Sequence, residues 1–429
     1  INDMCYCVAL DESFSCAFGS PPEWIKRAGG FPFPSYIFLG DTVLSEGRNF
    51  CEVEFPVYRN FFFNKQRKTH IIAPQRIVNI LQPVLEEALF GPAEYEENDF
   101  SRKAAFYADY LAVREGFSST GRKLLLPDFA GFEMYDGDVY RLGFVTVKRT
   151  GENAFIINRG KEEIAIELKT EKHIAFEETI HQAKGELALH CFDSGDGFSA
   201  AKDCSSFMLQ IGEKFLIFDP NYRSFDLFLQ RGHSLEAIAG IVISHIHADH
   251  EQGLYRFLHA FPSISIFTAG EVAHSIEKKL RLLYGAAEGA FSIKKLSFQK
   301  PTVIDEINAE VQCEYGFHAI PSVMMKFRFF GVAGKDLVFG YSGDTLYDPV
   351  RFQEERFPVS CRDSLVHFFD DAHVIVHEAG AGLIHTDPED LIPFLRDDQK
   401  IFWLHTPRTN DDGFSRGMIL EKGRDIILA

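Results

Sequence analysis

One ten-residue run constrains this chain more than any other: Ile241-Val242-Ile243-Ser244-His245-Ile246-His247-Ala248-Asp249-His250. A β-rich apolar segment delivers the backbone to a turn crowded with three imidazoles and a carboxylate. His245 and His247 are two residues apart, so in an extended segment they project to the same side. Asp249 and His250 follow as the chain turns into a helix, where they can face a second metal ion beside the first. Imidazole and carboxylate suit zinc, and also manganese or iron. A fold for this chain must therefore bury a strand and open its end to polar ligands.

Histidine also divides the chain. Of the 16 histidines, only His70 lies within the first 172 residues, so the chemistry is expected in the second half. A length of 429 residues suits two domains. The boundary is expected near residue 185, with a mixed α+β domain over 1–185 and a catalytic α/β domain over 186–429. In the first, residues 154–160, 162–170 and 173–176 read as short strands. Residues 74–89 have helical spacing interrupted by Pro83, and 101–114 form a helix with Ser101 as its N-cap. In the second, strands are expected at 187–192, 238–244, 263–267, 311–315, 325–330, 337–341, 374–376 and 401–404. Residues 206–210 and 214–218 form a hairpin through Gly212, and helices cover 253–260 and 270–284. Strands alternating with helices indicate layered α/β architecture.

Net charge is −18. Such a chain repels phosphate backbones at long range, which disfavours a nucleic-acid polymer as substrate but not a small anion held beside metal ions. The eight cysteines are scattered without a framework, as reduced thiols of a cytoplasmic protein would be. No run is long and apolar enough for a membrane span, and the start INDMCYCVALDESF lacks the features of a secretory signal. The chain begins at Ile1, so a few residues are expected to precede it. Phenylalanine is abundant at 43 residues, which implies aromatic cores.

The pattern His-x-His-x-Asp-His resembles the metallo-β-lactamase superfamily, over roughly residues 186–429. That resemblance implies an αββα sandwich and further ligands in a set order: a His, an Asp and a final His. His318, in Phe317-His318-Ala319-Ile320-Pro321, comes at a strand end. Asp344, in Ser342-Gly343-Asp344-Thr345, follows an apolar strand, and His405 closes Phe402-Trp403-Leu404-His405. The resemblance assigns His245, His247 and His318 to one ion and Asp249, His250 and His405 to a second, with Asp344 bridging. Two divalent ions are implied, zinc first, with manganese or iron as alternatives. Asp219, which ends the preceding strand, is expected to support the ligand loop.

Within the superfamily the chain is similar to the ribonuclease Z and cyclic-nucleotide phosphodiesterase branch. The carriers are Gly253-Leu254, the segment from His318 to Ser322, and Val376-His377-Glu378-Ala379 followed by His385-Thr386. This implies catalytic parts for Asp249, for His385 as a proton carrier and for Glu378 as its supporting acid. Residues 255–317 contain no long basic, glycine-rich arm for gripping tRNA, so a small phosphodiester or nucleotide is the expected substrate. Alternatives are hydrolysis of a thioester, lactone or amide, and a diiron redox or oxygen-sensing protein. His247, where diiron flavoprotein relatives carry Glu, favours hydrolysis. A homo-oligomer is compatible with this reading.

Overall fold

The computed structural model describes residues 3–10, 15–28, 33–115, 124–169, 185–354, 357–380, 382, 384–412 and 414–429. The chain divides into two compact units. The first comprises Ile1–Leu89, Leu124–Ala175 and Lys279–Ala286; the second comprises Phe90–Lys123, Phe176–Lys278 and Ala287–Ala429. The second unit thus takes in residues 90–123 from the first half of the sequence.

The first unit holds strands β1 (Tyr6–Ala9), β2 (Ser15–Phe18), β3 (Tyr36–Phe38), β4 (Leu44–Ser45), β5 (Arg48–Asn49), β6 (Thr69–Ile72), β7 (Ala130–Glu133), β8 (Val139–Leu142), β9 (Val145–Gly151), β10 (Ala154–Arg159) and β11 (Glu162–Glu167). One sheet has the order β1-β2-β3-β6-β7 and is parallel from β2 onward. A second, antiparallel sheet has the order β11-β10-β9-β8. Phe18 stacks on Phe38 at 5.0 Å and meets Phe155 at 5.3 Å, joining the two sheets through aromatic rings. The expected strands at 154–160 and 162–170 are β10 and β11; the segment 173–176 lies outside the described residues. The helix Gln75–Phe90 runs through Pro83 without a break. A proline inside a helix costs about 3 kcal/mol. Ile77, Val78, Leu81 and Leu85 are buried on one face, and each buried aliphatic side chain returns about 1.5–3 kcal/mol.

In the second unit the helix Asp99–Glu115 begins earlier than its sequence suggests. Its cap is Asn98 and not Ser101: the Ser101 N–H donates to Asn98 Oδ1 at 2.9 Å. The short amide side chain of Asn98 reaches the third N–H of the helix, so Ser101 is left inside the first turn.

The rest of this unit is built on β12 (Leu187–Asp193), β13 (Ser206–Ile211), β14 (Lys214–Phe218), β15 (Ile238–Val242), β16 (Ser265–Ala269), β17 (Ser292–Leu296), β18 (Thr302–Ile304), β19 (Ala309–Gly316), β20 (Ser322–Val332), β21 (Lys335–Tyr341), β22 (Val374–Glu378), β23 (Lys400–Leu404), β24 (Met418–Ile419) and β25 (Asp425–Ile427). Among the described residues they form two seven-stranded sheets, β17-β16-β15-β14-β13-β12-β25 and β18-β19-β20-β21-β22-β23-β24. Each begins as antiparallel hairpins and continues as parallel strands. The expected hairpin through Gly212 is β13–β14, with Gly212 at φ +56°.

The sheets face one another through aromatic side chains. Phe218 lies 5.4 Å from Phe327 and 5.4 Å from Tyr341, and Phe207 lies 5.3 Å from Tyr341. Helices cover the outer faces: Phe228, in the helix Ser224–Gln230, packs edge-on to Phe215 of β14 at 5.5 Å. On the second sheet Tyr107 and Tyr110, in the helix Asp99–Glu115, pack on Phe317 at 4.9 and 5.6 Å. This layering is the αββα sandwich of the metallo-β-lactamase fold. No helix of the described residues is long and apolar enough to cross a membrane.

Candidate metal centre

The polar residues singled out in the sequence gather at the carboxyl ends of the parallel strands. Asp219 follows β14, residues 243–250 follow β15, Asp344 follows β21, Glu378 is the last residue of β22, and His405 follows β23. His318 sits in the connection between β19 and β20. Open α/β sheets place ligands at such strand ends because the chain leaves the sheet there and its side chains are free of ladder packing.

His245, His247 and His318 bring their ring nitrogens together. His245 Nε2 lies 3.1 Å from His247 Nδ1, which lies 3.2 Å from His318 Nε2. Nitrogens bound at ~2.0–2.1 Å to a tetrahedral ion would sit roughly 3.3–3.4 Å apart, close to this spacing. Burial pushes His318 down to about 3 and holds His245 well below the ordinary imidazole range. Both rings are therefore neutral, the form that coordinates an ion.

Asp249, His250 and His405 form a second such group. Asp344 lies against both: its Oδ2 is 3.3 Å from His250 Nε2, 3.6 Å from His405 Nε2 and 3.8 Å from His245 Nε2. Asp344 Oδ1 is buried with no hydrogen-bond partner, an arrangement that is costly without a cation. Burial alone would raise its carboxyl, but His250, His405 and His385 hold it well below the usual carboxylate range. Burial opposes a charge on His250, yet Asp344, Asp249 and Asp219 together raise it well above the usual range. The donors are buried and convergent, and their chemistry fits divalent ions.

Asp219 anchors this end of the sandwich. Its Oδ1 accepts the Ser244 N–H at 2.7 Å. Its Oδ2 accepts the Tyr341 hydroxyl at 2.6 Å and the His250 Nδ1–H at 2.8 Å, and it also accepts the Ser244 hydroxyl. Since the Ser244 proton is committed to Asp219, His245 Nδ1–H donates to Ser244 Oγ at 2.9 Å. Both imidazoles are thereby held with Nε2 turned inward. Asp219 and His405 adopt left-handed φ of 41° and 52°, a strained state for residues other than glycine, and both sit where a strand turns into the site.

His385 enters the same space. Its Nδ1 lies 3.4 Å from Glu378 Oε2 and 3.8 Å from Asp344 Oδ2, and its ring is 4.7 Å from His405. Glu378 is fixed by backbone, accepting the Gly380 N–H at 2.9 Å and the Thr386 N–H at 2.6 Å. Burial pushes His385 down, but Glu378 and Asp344 carry it up to about 9. His377, adjacent in sequence, packs on Trp403 at 6.1 Å on the opposite face of β22. Ser244, Tyr341 and Ser205, whose Oγ lies 3.5 Å from His405 Nδ1, were not singled out in the sequence. Hydroxyls that support ligands through tertiary contact carry no local spacing signal.

The chain matches the family described as Anti-Pycsar protein Apyc1 over residues 187–416. It is 30% identical over 216 residues to the cGMP-dependent 3',5'-cGMP phosphodiesterase A of Dictyostelium discoideum, covering 48% of this chain and 24% of that protein. It is 26% identical over 463 residues to the cAMP/cGMP-dependent 3',5'-cAMP/cGMP phosphodiesterase B of the same organism, covering 89% of this chain and 41% of that protein. The chain thus spans less than half the length of either relative. Among solved structures, the metallo-β-lactamase fold protein YhfI from Bacillus subtilis matches with a TM-score of 0.44 and 15% identity, over 56% of this chain and 99% of that one. Because the family match takes in more than half of the sequence, including every residue from His245 to His405, the chain belongs to the Anti-Pycsar protein Apyc1 family.

Proposed function

We propose that this chain is a metal-dependent phosphodiesterase that hydrolyses a small phosphodiester of the 3',5'-cyclic nucleotide class at a centre for two divalent ions. His245, His247 and His318 would hold one ion, and Asp249, His250 and His405 the other. Asp344 lies against both groups, and its carboxylate would offset the repulsion between two dications. Zinc is the first choice for this imidazole-rich set, with manganese or iron next. Ions bound there would lower the pKa of water and stabilise charge on the phosphoryl oxygens. The relatives whose names specify 3',5'-cyclic nucleotide phosphodiesterases support the substrate class.

The observation that carries the reading is a proton carrier beside the ligand set: His385 lies 3.4 Å from Glu378 and 3.8 Å from Asp344. Hydrolysis joins a water oxygen to phosphorus and breaks the bond to one ester oxygen, which departs as an alkoxide unless it receives a proton. His385 would donate that proton, and Glu378, locked by two backbone N–H groups, would orient the imidazole. Ions bound nearby would add positive charge and lower the His385 pKa from about 9 toward neutrality, where a general acid works best.

The test is an assay of the metal-loaded chain on a panel of 3',5'-cyclic nucleotides, chromogenic phosphodiesters, thioesters and lactones. Conversion of at least one cyclic nucleotide to its monophosphate, abolished by chelation, is expected. Turnover of thioesters or lactones with no phosphodiester consumed would overturn the reading.

A further inference from the structure

The proposed reaction leaves Lys202 unexplained, a half-buried cation on the loop between β12 and β13. Its Nζ donates to the carbonyl of Thr406 at 3.1 Å, to that of Arg408, and to Ser194 Oγ at 3.4 Å. These two carbonyls belong to the turn that follows His405. The same loop touches that turn twice more: the Thr406 N–H donates to the Ser194 carbonyl at 2.9 Å, and Ser205 Oγ lies 3.5 Å from His405 Nδ1. So the loop grips His405 by its ring and by the peptide groups just beyond it.

His405 needs that grip. Its φ of 52° is left-handed, a strained state for a residue other than glycine that persists only where surrounding contacts over-determine it. A serine side chain at 202, with one donor on a single carbon, could not reach two carbonyls at once; an ammonium with three donors on a four-carbon stem does. Burial lowers the Lys202 pKa, while Asp193, Cys191, Asp196 and Asp412 oppose the shift and favour the charged form.

We infer that Lys202 is a positioning residue for the second metal site: it holds the turn after His405 so that the imidazole stays aimed between Asp249 and Asp344. The inference rests on the two-ion reading above. It also separates the two ion sites, because His245, His247 and His318 lie on segments that these Lys202 bonds do not reach.

The experiment is a cobalt(II) titration of the metal-free full chain, read by its visible absorption and by competition with a chelator. Wild type should take up two equivalents. Lys202→Met should keep one tight equivalent and weaken the other 10- to 100-fold, the range for loss of a partner that orients a ligand. Lys202→Arg, which restores a cation and several donors, should recover part of that loss. Ser205→Ala, which leaves the ammonium in place, should weaken the same ion. Circular dichroism of each metal-free variant reports the fold, and should Lys202→Met fail to fold, the Lys202→Arg and Ser205→Ala titrations decide. Two equivalents bound at unchanged affinity by the substituted chains would overturn the positioning role. Equal weakening of both ions would overturn it as well, because it would mean a general structural effect. A wild-type chain that binds fewer than two ions would overturn the two-ion reading and this inference with it.

Discussion

Asp344 is the residue on which most of the site depends, since four imidazoles, those of His245, His250, His405 and His385, approach one of its oxygens within 3.8 Å. In the proposed two-ion centre Asp344 serves both ions, so its removal would not cost one ion alone. Asp344→Ala is therefore expected to drop metal content from two equivalents to nearly none, measured by elemental analysis; full retention would refute the assignment. His385 makes the opposite prediction, because it touches the site without belonging to either three-residue ligand set. His385→Ala should keep its metals and lose about 10²–10⁴-fold on an alkyl phosphodiester, the usual contribution of a general acid. On a bis(nitrophenyl) phosphate, whose leaving group departs without a proton, the loss should be much smaller. Equal losses on both substrates would mean that the imidazole positions substrate and donates no proton.

At the scale of elements, the helix Ser224–Gln230 and the turn after it rest on β14 through Phe215, Phe228 and His233. The His233 ring lies 4.2 Å from Phe215, and burial with the nearby His190 and Arg231 lowers its pKa to about 4, against a weaker pull from Asp425. The unfolded chain, with an ordinary imidazole, takes up a proton near pH 6.5 that the folded chain refuses until about pH 4. This contribution to stability is thus present above about pH 6.5 and is lost as pH falls toward 4. Urea melts of the chelated protein across that window should show a smaller decline for His233→Phe than for wild type. Parallel declines would assign the acid sensitivity to another group.

The whole molecule adds two expectations. Net charge of −18 repels an anionic substrate, so kcat/KM on a cyclic nucleotide should rise with moderate salt as the repulsion is screened. A steep fall would mean that a local cationic path steers the substrate in. The second concerns the extent of the second unit. Residues 90–123 belong to it, and their helix Asp99–Glu115 lays Tyr107 and Tyr110 on Phe317, one residue before His318. A fragment of 186–429 alone would expose that aromatic surface. We expect it to aggregate or to melt well below the full chain in a thermal scan; equal stability would show that the helix is dispensable.

The metal-ligand candidates and the strands that carry them were legible in the sequence because coordination demands particular residue types at short, fixed spacings. His245, His247, Asp249 and His250 fall within six residues, and apolar runs such as 337–341 announce buried strands whose ends are turns. The tertiary structure alone decided how the far-apart pieces meet. Tyr341 donates to Asp219 across 122 residues of sequence, and Lys202 reaches the carbonyl of Thr406 across 204. The transfer of residues 90–123 to the second unit belongs to the same class. A single hydroxyl, ammonium or helix face that supports a site from another part of the chain leaves no periodicity behind it. Its partner is chosen by the packing of two sheets and their covering helices, and that choice exists only once the core has formed.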